Sequence, residues 1–239
     1  MKKAVIMGVG TLNGLGGALS KKFAQEGMEV FVSGRSKEKL DIVVNQINKL
    51  GLKAHSFKAD TRDINQIQNL LDFVGEGLNL AIYNVGNNMP GNIVDMDPEY
   101  FRECWEQCCY GGFLFSKLVI KKYLSEKIYG KLFFTGASAS LRGKENFGAF
   151  NSAKGALRNL AQALAKEHGK NSIHIAHIII DGGLNGDRIK KRLPNYKKLF
   201  GENGLIELKE VTEAYKFLYY QKQSGWTFEL DLRTNVENW

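Results

Sequence analysis

Gly10, Gly14 and Gly16 share the segment Gly10-Thr11-Leu12-Asn13-Gly14-Leu15-Gly16, which follows the apolar run Ala4-Val5-Ile6-Met7 and leads into a helical pattern. Missing side chains at a strand-to-helix junction tighten the turn, let an anion reach the backbone, and let helix pack on strand. The amides of Asn13, Gly14, Leu15 and Gly16 then face that anion, with the positive end of the helix dipole behind them. This suits a dinucleotide pyrophosphate better than an ordinary tight turn, because the loop comes directly after the first strand. Gly8 leaves the register open: it can be the first turn glycine with two more residues before Gly14.

The second apolar run, Val30-Phe31-Val32, ends in Ser33-Gly34-Arg35-Ser36-Lys37. An acid here would hold a ribose diol and repel a 2′-phosphate; two cations with Ser33 and Ser36 hydroxyls fit the phosphorylated ribose instead. The expected cofactor is therefore a dinucleotide phosphorylated at the 2′ position, with Arg35 and Ser36 at its adenosine end. Asp60 either accepts from the adenine amino group or caps the next helix. Gly86 lets a cofactor ribose approach the chain, while Asn84 braces the neighbouring strand ends.

Positioning these residues requires a regular alternation of elements. Strands are expected at Ala4 to Met7, Val30 to Val32, Ala54 to Lys58, Leu80 to Tyr83, Lys131 to Thr135, Ile173 to Ile180 and Thr227 to Leu232. Helices fall between them, including a long one near Glu99 to Tyr123 and another from Ala149 to His168. Right-handed crossovers then place helices on both faces of a parallel sheet, a three-layer doubly wound α/β fold. A closed eight-stranded barrel would need another strand-helix unit.

The chain resembles the short-chain dehydrogenase/reductase family over nearly its whole length. The resemblance rests on Gly10, Gly14 and Gly16, on Asp60, on Asn84-Val85-Gly86, and on Phe150-Asn151-Ser152-Ala153-Lys154 before Gly155-Ala156-Leu157. It implies a Rossmann-like, doubly wound, seven-stranded parallel sheet, a nicotinamide dinucleotide, which with Arg35 and Ser36 makes the expected cofactor NADP(H) in preference to NAD(H), and hydride exchange with a small carbonyl or alcohol substrate. It also implies a homodimer or homotetramer, associating through the helix Ala149 to His168 and its predecessor.

Of the family's catalytic Asn, Ser, Tyr and Lys, only the lysine is kept, as Lys154. Phe150 stands one helical turn earlier where the tyrosine belongs and has no proton to give. Ala137 takes the serine position, which a one-residue shift returns to Ser138, and Cys108 takes that of the asparagine. Lys154 and Ser138 are thus the expected catalytic residues, with Tyr110 as another phenol to consider. After the sixth strand, Asp181 replaces the family's proline, where a carboxylate serves as an alternative acid only if burial favours its neutral form, and Gly182 keeps the turn; Asn185 is placed to grip the carboxamide. Two readings follow: an oxidoreductase with altered proton delivery, or a non-catalytic dinucleotide-binding sensor or interaction protein.

Composition sets the remaining limits. With 239 residues, 44% of them hydrophobic, the chain reads as one domain spanning residues 1 to 239 and not as a disordered segment. Formal net charge is +8, and its densest cationic stretch is Arg188, Lys190, Lys191, Arg192, Lys197 and Lys198. That stretch lies where the family has a mobile substrate lid, here residues 184 to 206, and would attract an anionic substrate. Without interleaved aromatics it does not make a nucleic-acid groove. Cys104, Cys108 and Cys109 are odd in number and lack the partners of a zinc site, which points to buried thiols in a reducing compartment. The opening apolar run is too short for a secretion signal and no later run spans a bilayer, so the expected location is the cytoplasm, away from membranes.

Overall fold

A computed structural model describes the chain except for residues 196, 197, 200, 202, 238 and 239. Its main sheet is built from β1 (Lys3–Met7), β2 (Glu29–Gly34), β3 (Ala54–Lys58), β4 (Leu78–Tyr83), β5 (Lys131–Thr135), β6 (His174–Asp181) and, last in sequence, Glu229–Arg233. The order is β3-β2-β1-β4-β5-β6 followed by that last strand, and every pairing is parallel. The sheet is open, with edges at β3 and at Glu229–Arg233. Strand order reverses at β1, between β2 and β4, which opens a crevice at the carboxyl ends of β1 and β4.

Alternation along β1 shows why helices cover both faces. Ala4 and Ile6 join a core with Val32, Phe133 and Ile178, closed by Leu19 and Phe23 of α1 (Leu15–Gln25), Val43 and Ile47 of α2 (Lys37–Asn48), and Tyr215 and Leu218 of Leu208–Tyr220. Val5 and Met7 point the other way. They meet Ala81, Phe134 and Ile175 under Ile67 and Leu70 of α3 (Ile64–Val74), with Phe115, Val119, Leu157 and Ala161 from helices later in the chain.

The long helix expected near Glu99 to Tyr123 is interrupted. It comprises α4 (Pro98–Trp105), a π-helical turn at Glu106–Tyr110, and α5 (Gly111–Glu126). The buried Tyr83 hydroxyl donates to the Gln107 carbonyl in that turn. A Cβ on Gly111 would lie 2.5 Å from the same hydroxyl, so close approach to β4 selects glycine there. Helix α6 (Gly148–His168) follows as expected. Two features escaped the sequence reading: a small parallel pair, β7 (Gly183–Leu184) with β8 (Leu205–Ile206), and the short α7 (Asp187–Arg192) between them. The helix Leu208–Tyr220 becomes α8 and the strand Glu229–Arg233 becomes β9.

His174 and His177 are both buried in β6. His177 Nδ1 lies 3.1 Å from Glu229 Oε2, which Arg158 also holds, yet burial pushes the imidazole pKa down to about 4 from 6.5. The unfolded chain therefore takes up this proton first. Stability is expected to fall as pH drops from 6.5 towards 4, this group contributing about 3 kcal/mol, with no effect of this group above that window. Urea unfolding across the window checks this, and His177→Gln should flatten the decline.

Candidate active site

Beyond β1 the backbone turns at Gly8, whose φ is +94° and whose added Cβ would sit 2.5 Å from Asn84 O. Gly8 thus serves the crossing with β4. Gly10 has open space where a side chain would stand, while Cβ atoms on Gly16 and Gly17 would meet Val9 Cα at 2.9 Å and Leu12 O at 2.4 Å. The first glycine faces the crevice; the later ones let helix and loop touch.

Gly14 is the N-cap of α1 and supplies no side-chain acceptor, and the first turn has no acid. By contrast Ser36, Asp63 and Asp97 cap α2, α3 and α4 through their side chains. The leading amides of α1 are thus left for another acceptor, and an anion at the open face of Gly10 fits them.

At the end of β2, Ser36 caps α2 and donates to Glu38 Oε2 at 2.8 Å. Lys37 is engaged by Asp41 and by Ser56 Oγ at 2.9 Å. Arg35 is exposed and has no hydrogen-bond or ion-pair partner among the described residues. Asp60 does not cap α3, a task Asp63 performs by accepting from the Asn65 and Gln66 amides. Its carboxylate is instead clamped by Arg62, Nη2 to Oδ2 at 2.8 Å, which lowers its pKa. Asn84 Nδ2 donates to Gly8 O at 3.2 Å, the strand-end brace.

Phe150, Ala153, Ala149, Cys104 and Cys108 form a compact cluster, with Ala137, Met96 and Tyr100 packed at its margin. The three substituted positions, Cys108, Ala137 and Phe150, therefore meet in space. Lys154 is 3% exposed and donates from Nζ to Val85 O at 2.9 Å and Thr135 O at 2.7 Å. Burial lowers its pKa, and its ammonium lies 5.8 Å from the Phe150 ring centroid. Phe150 also borders Gly86, where an added Cβ would be 3.8 Å from its Cε2. Cys104 Sγ donates to Asn87 O at 3.1 Å. The neighbouring Cys104 thiol, aided by the Lys154 charge, lowers the pKa of Cys108.

Ser138 opens a 3₁₀ turn, Ser138–Ser140, and its hydroxyl has no partner among the described residues; Ser140 Oγ accepts from the Ala137 amide. Three sequence candidates find other employment. Asp181 is fully buried and bound by Arg142 at 2.8 and 3.0 Å and by Arg233 at 3.4 Å, so it is a structural ion pair and no substitute acid. Its neighbour Gly182 has φ +150°, a conformation that favours glycine. Asn185 Nδ2 is taken by Glu207 at 2.6 Å. Tyr110 lies on the outer surface, stacked on Trp105 and with its ring tilted against Phe113.

The phenol beside the cluster is Tyr100, whose hydroxyl accepts from the Met89 amide at 2.9 Å. Sequence reasoning passed it over. Tyr100, Cys104 and Cys108 recur every four residues, a helical-face signal that was available. Over the crevice, the Asp187 amide donates to Asn13 O at 3.1 Å, and Arg188 and Arg192 of α7 reach Asn88 O. Lys197, named in the basic stretch, lies outside the described residues.

The parallel sheet, the uncapped glycine turn and the lysine on α6 define a Rossmann-like dehydrogenase class. More narrowly, the family model for short chain dehydrogenases matches residues 2–192, and the chain belongs to that family of oxidoreductases. The chain is 29% identical over 181 residues to the uncharacterized oxidoreductase YxbG of Bacillus subtilis, covering 74% of this chain and 65%, just under two thirds, of that one. It is 26% identical over 214 residues to a 2-dehydro-3-deoxy-D-gluconate 5-dehydrogenase of Formosa agariphila, covering 82% and 81%. A short-chain dehydrogenase structure from Rhodopseudomonas palustris superposes with a TM-score of 0.79 at 33% identity over 96% of this chain and 98% of that one. A metagenomic short-chain oxidoreductase in complex with NADP shares the fold, with a TM-score of 0.81 at 18% identity and 98% of each chain covered.

Proposed function

We propose that the protein is an NADP(H)-dependent oxidoreductase acting on a small carbonyl or alcohol compound, with proton delivery rearranged around Lys154 and Ser138. The observation that carries this reading is the uncapped N-terminus of α1 beside the open face of Gly10, with buried Lys154 in the same crevice region. The bound nicotinamide would supply or accept the hydride. Asn13 to Gly16 would hold the diphosphate; Arg35 and Ser36 the 2′-phosphate; Asp60, Asn84, Gly86 and Gly182 would border the adenosine and nicotinamide ends. Lys154 binds ribose hydroxyls and keeps the pocket positive, and the Ser138 hydroxyl donates to the substrate oxygen. The residues 184 to 206 act as the lid, whose cations favour an anionic substrate.

The chain works as one domain in a homo-oligomer, in the cytoplasm, without nucleic acid. Trp105, Tyr110 and Phe113 leave an exposed aromatic stripe along the helices through which association is proposed, which supports the oligomer. No helix among the described residues is long and apolar enough to cross a membrane. The second reading, a non-catalytic dinucleotide-binding protein, draws on the apolar cluster that Phe150, Cys108 and Ala137 make where proton donors are wanted.

Titrating NADPH and NADH into the cofactor-free protein tests the cofactor assignment. Arg35→Gln is expected to weaken NADPH about tenfold and leave NADH nearly unchanged, since a charge-assisted bond to phosphate is lost. Equal losses for both would contradict it. Incubation with NADPH and a panel of aldehydes, ketones and enones separates the readings: tight binding without oxidation favours the second.

A further inference from the structure

Arg188 and Arg192, one turn apart on α7, converge on a single peptide oxygen. Arg188 Nη2 lies 3.3 Å and Arg192 Nη1 2.6 Å from Asn88 O. One neutral oxygen is a poor match for two forks with five N–H donors each. The other arginines along the chain show what this protein ordinarily does with a guanidinium. Arg62, Arg102, Arg142, Arg158 and Arg233 each hold a carboxylate. Among the described residues only Arg35, Arg188 and Arg192 hold none. Arg35 sits where the dinucleotide phosphate is proposed, and the other two meet at Asn88 O, with Arg188 near Tyr100 and Cys108.

Their surroundings sharpen the mismatch. Both arginines are exposed at the surface, yet desolvation by the surrounding chain, then the neighbouring Arg192 charge, lowers the Arg188 pKa, while Tyr100 and Cys108 are close enough to act on it in the opposite sense. Two like charges are thus held together beside the cluster of Phe150, Cys108 and Tyr100, with no carboxylate between them. Lys190 and Lys191, on the same short helix, make no hydrogen bond to Asn88 O.

We propose that Arg188 and Arg192 form an oxyanion subsite of the substrate cleft, and that the substrate is a carbonyl or alcohol compound carrying a carboxylate or a phosphate ester. The inference rests on the reaction assigned above but names the residues and the ligand chemistry. The planar guanidinium forks suit two-oxygen heads, and Asn88 O occupies the pair until such a head arrives. The ligand's oxyanion then lies under α7, its carbonyl end toward the Phe150 and Lys154 side.

A matched set of 2-pentanone, 4-oxopentanoate and 4-oxopentyl phosphate keeps the methyl-ketone end and changes only the head. Affinities are measured by calorimetry on the cofactor-free protein, with a separate NADPH titration of each variant. At least one anion is expected to bind about tenfold or more tighter than the neutral ketone, and the tighter one identifies the head group. Arg188→Gln/Arg192→Gln should abolish that preference with NADPH affinity intact, and Lys190→Gln/Lys191→Gln should retain it. The proposal fails if neither anion is preferred or detected at tens of millimolar, or if the preference survives in Arg188→Gln/Arg192→Gln. It also fails if the preference is lost in Arg35→Gln, which would place the anion in the dinucleotide cradle. Failure of wild-type protein to bind NADPH is a separate outcome that counts against the cofactor reading alone.

Discussion

Phe150→Tyr is expected to raise carbonyl reduction by about 10²- to 10⁴-fold, the usual worth of a placed general acid. Reduction leaves negative charge on the substrate oxygen, and the group that would meet it is missing: Phe150 sits one turn before Lys154 with its ring 5.8 Å from Nζ. A phenol there would feel the ammonium charge, which favours its ionised form and makes it a readier donor. The ring is buried but borders Gly86, which has no side chain, so a hydroxyl there meets a small neighbour. Single-turnover oxidation of NADPH with a ketone panel, at matched cofactor saturation, reads the effect. Turnover appearing or rising identifies the lost proton as limiting. A fall would mean that the delivery proposed through Ser138 is already efficient without a phenol and that the new hydroxyl obstructs it.

Gly10→Ala and Gly17→Ala are expected to separate binding from folding. At Gly17 the new methyl would lie 2.4 Å from Leu12 O and 2.6 Å from Thr11 O, both main-chain atoms of the turn. Relief requires moving the loop off the helix, at a cost of about 1–3 kcal/mol or more and a Tm lower by about 2–4 °C per kcal/mol. At Gly10 a methyl meets nothing within 4 Å, so the fold should tolerate it. That same methyl fills the face reserved for the diphosphate, and NADPH binding should weaken by about tenfold or more. Thermal unfolding and NADPH titration of both variants give the comparison. Normal NADPH affinity in Gly10→Ala would remove the diphosphate from this loop.

The extent to which sequence announces structure differs from residue to residue. The run Ala4 to Met7, the glycines after it and the spacing of Phe150 from Lys154 are local signals, and each element they imply is present. The break at Glu106–Tyr110 is not local: it reflects the Tyr83 hydroxyl reaching the Gln107 carbonyl from another strand. Asp181 looked like a spare acid because its partners, Arg142 and Arg233, are distant in the chain. Likewise Arg35 and Lys37 are equivalent cations on paper, and only the folded contacts with Asp41 and Ser56 leave Arg35 available. β7 and β8 are two residues each, too brief for any periodicity.

Calorimetric titration of the folded, cofactor-free protein with NADPH tests the central assignment most directly. Saturable one-to-one binding, tighter than for NADH and weakened by Gly10→Ala, is the expected result. Protein that stays folded yet takes up neither dinucleotide at millimolar concentration would contradict it.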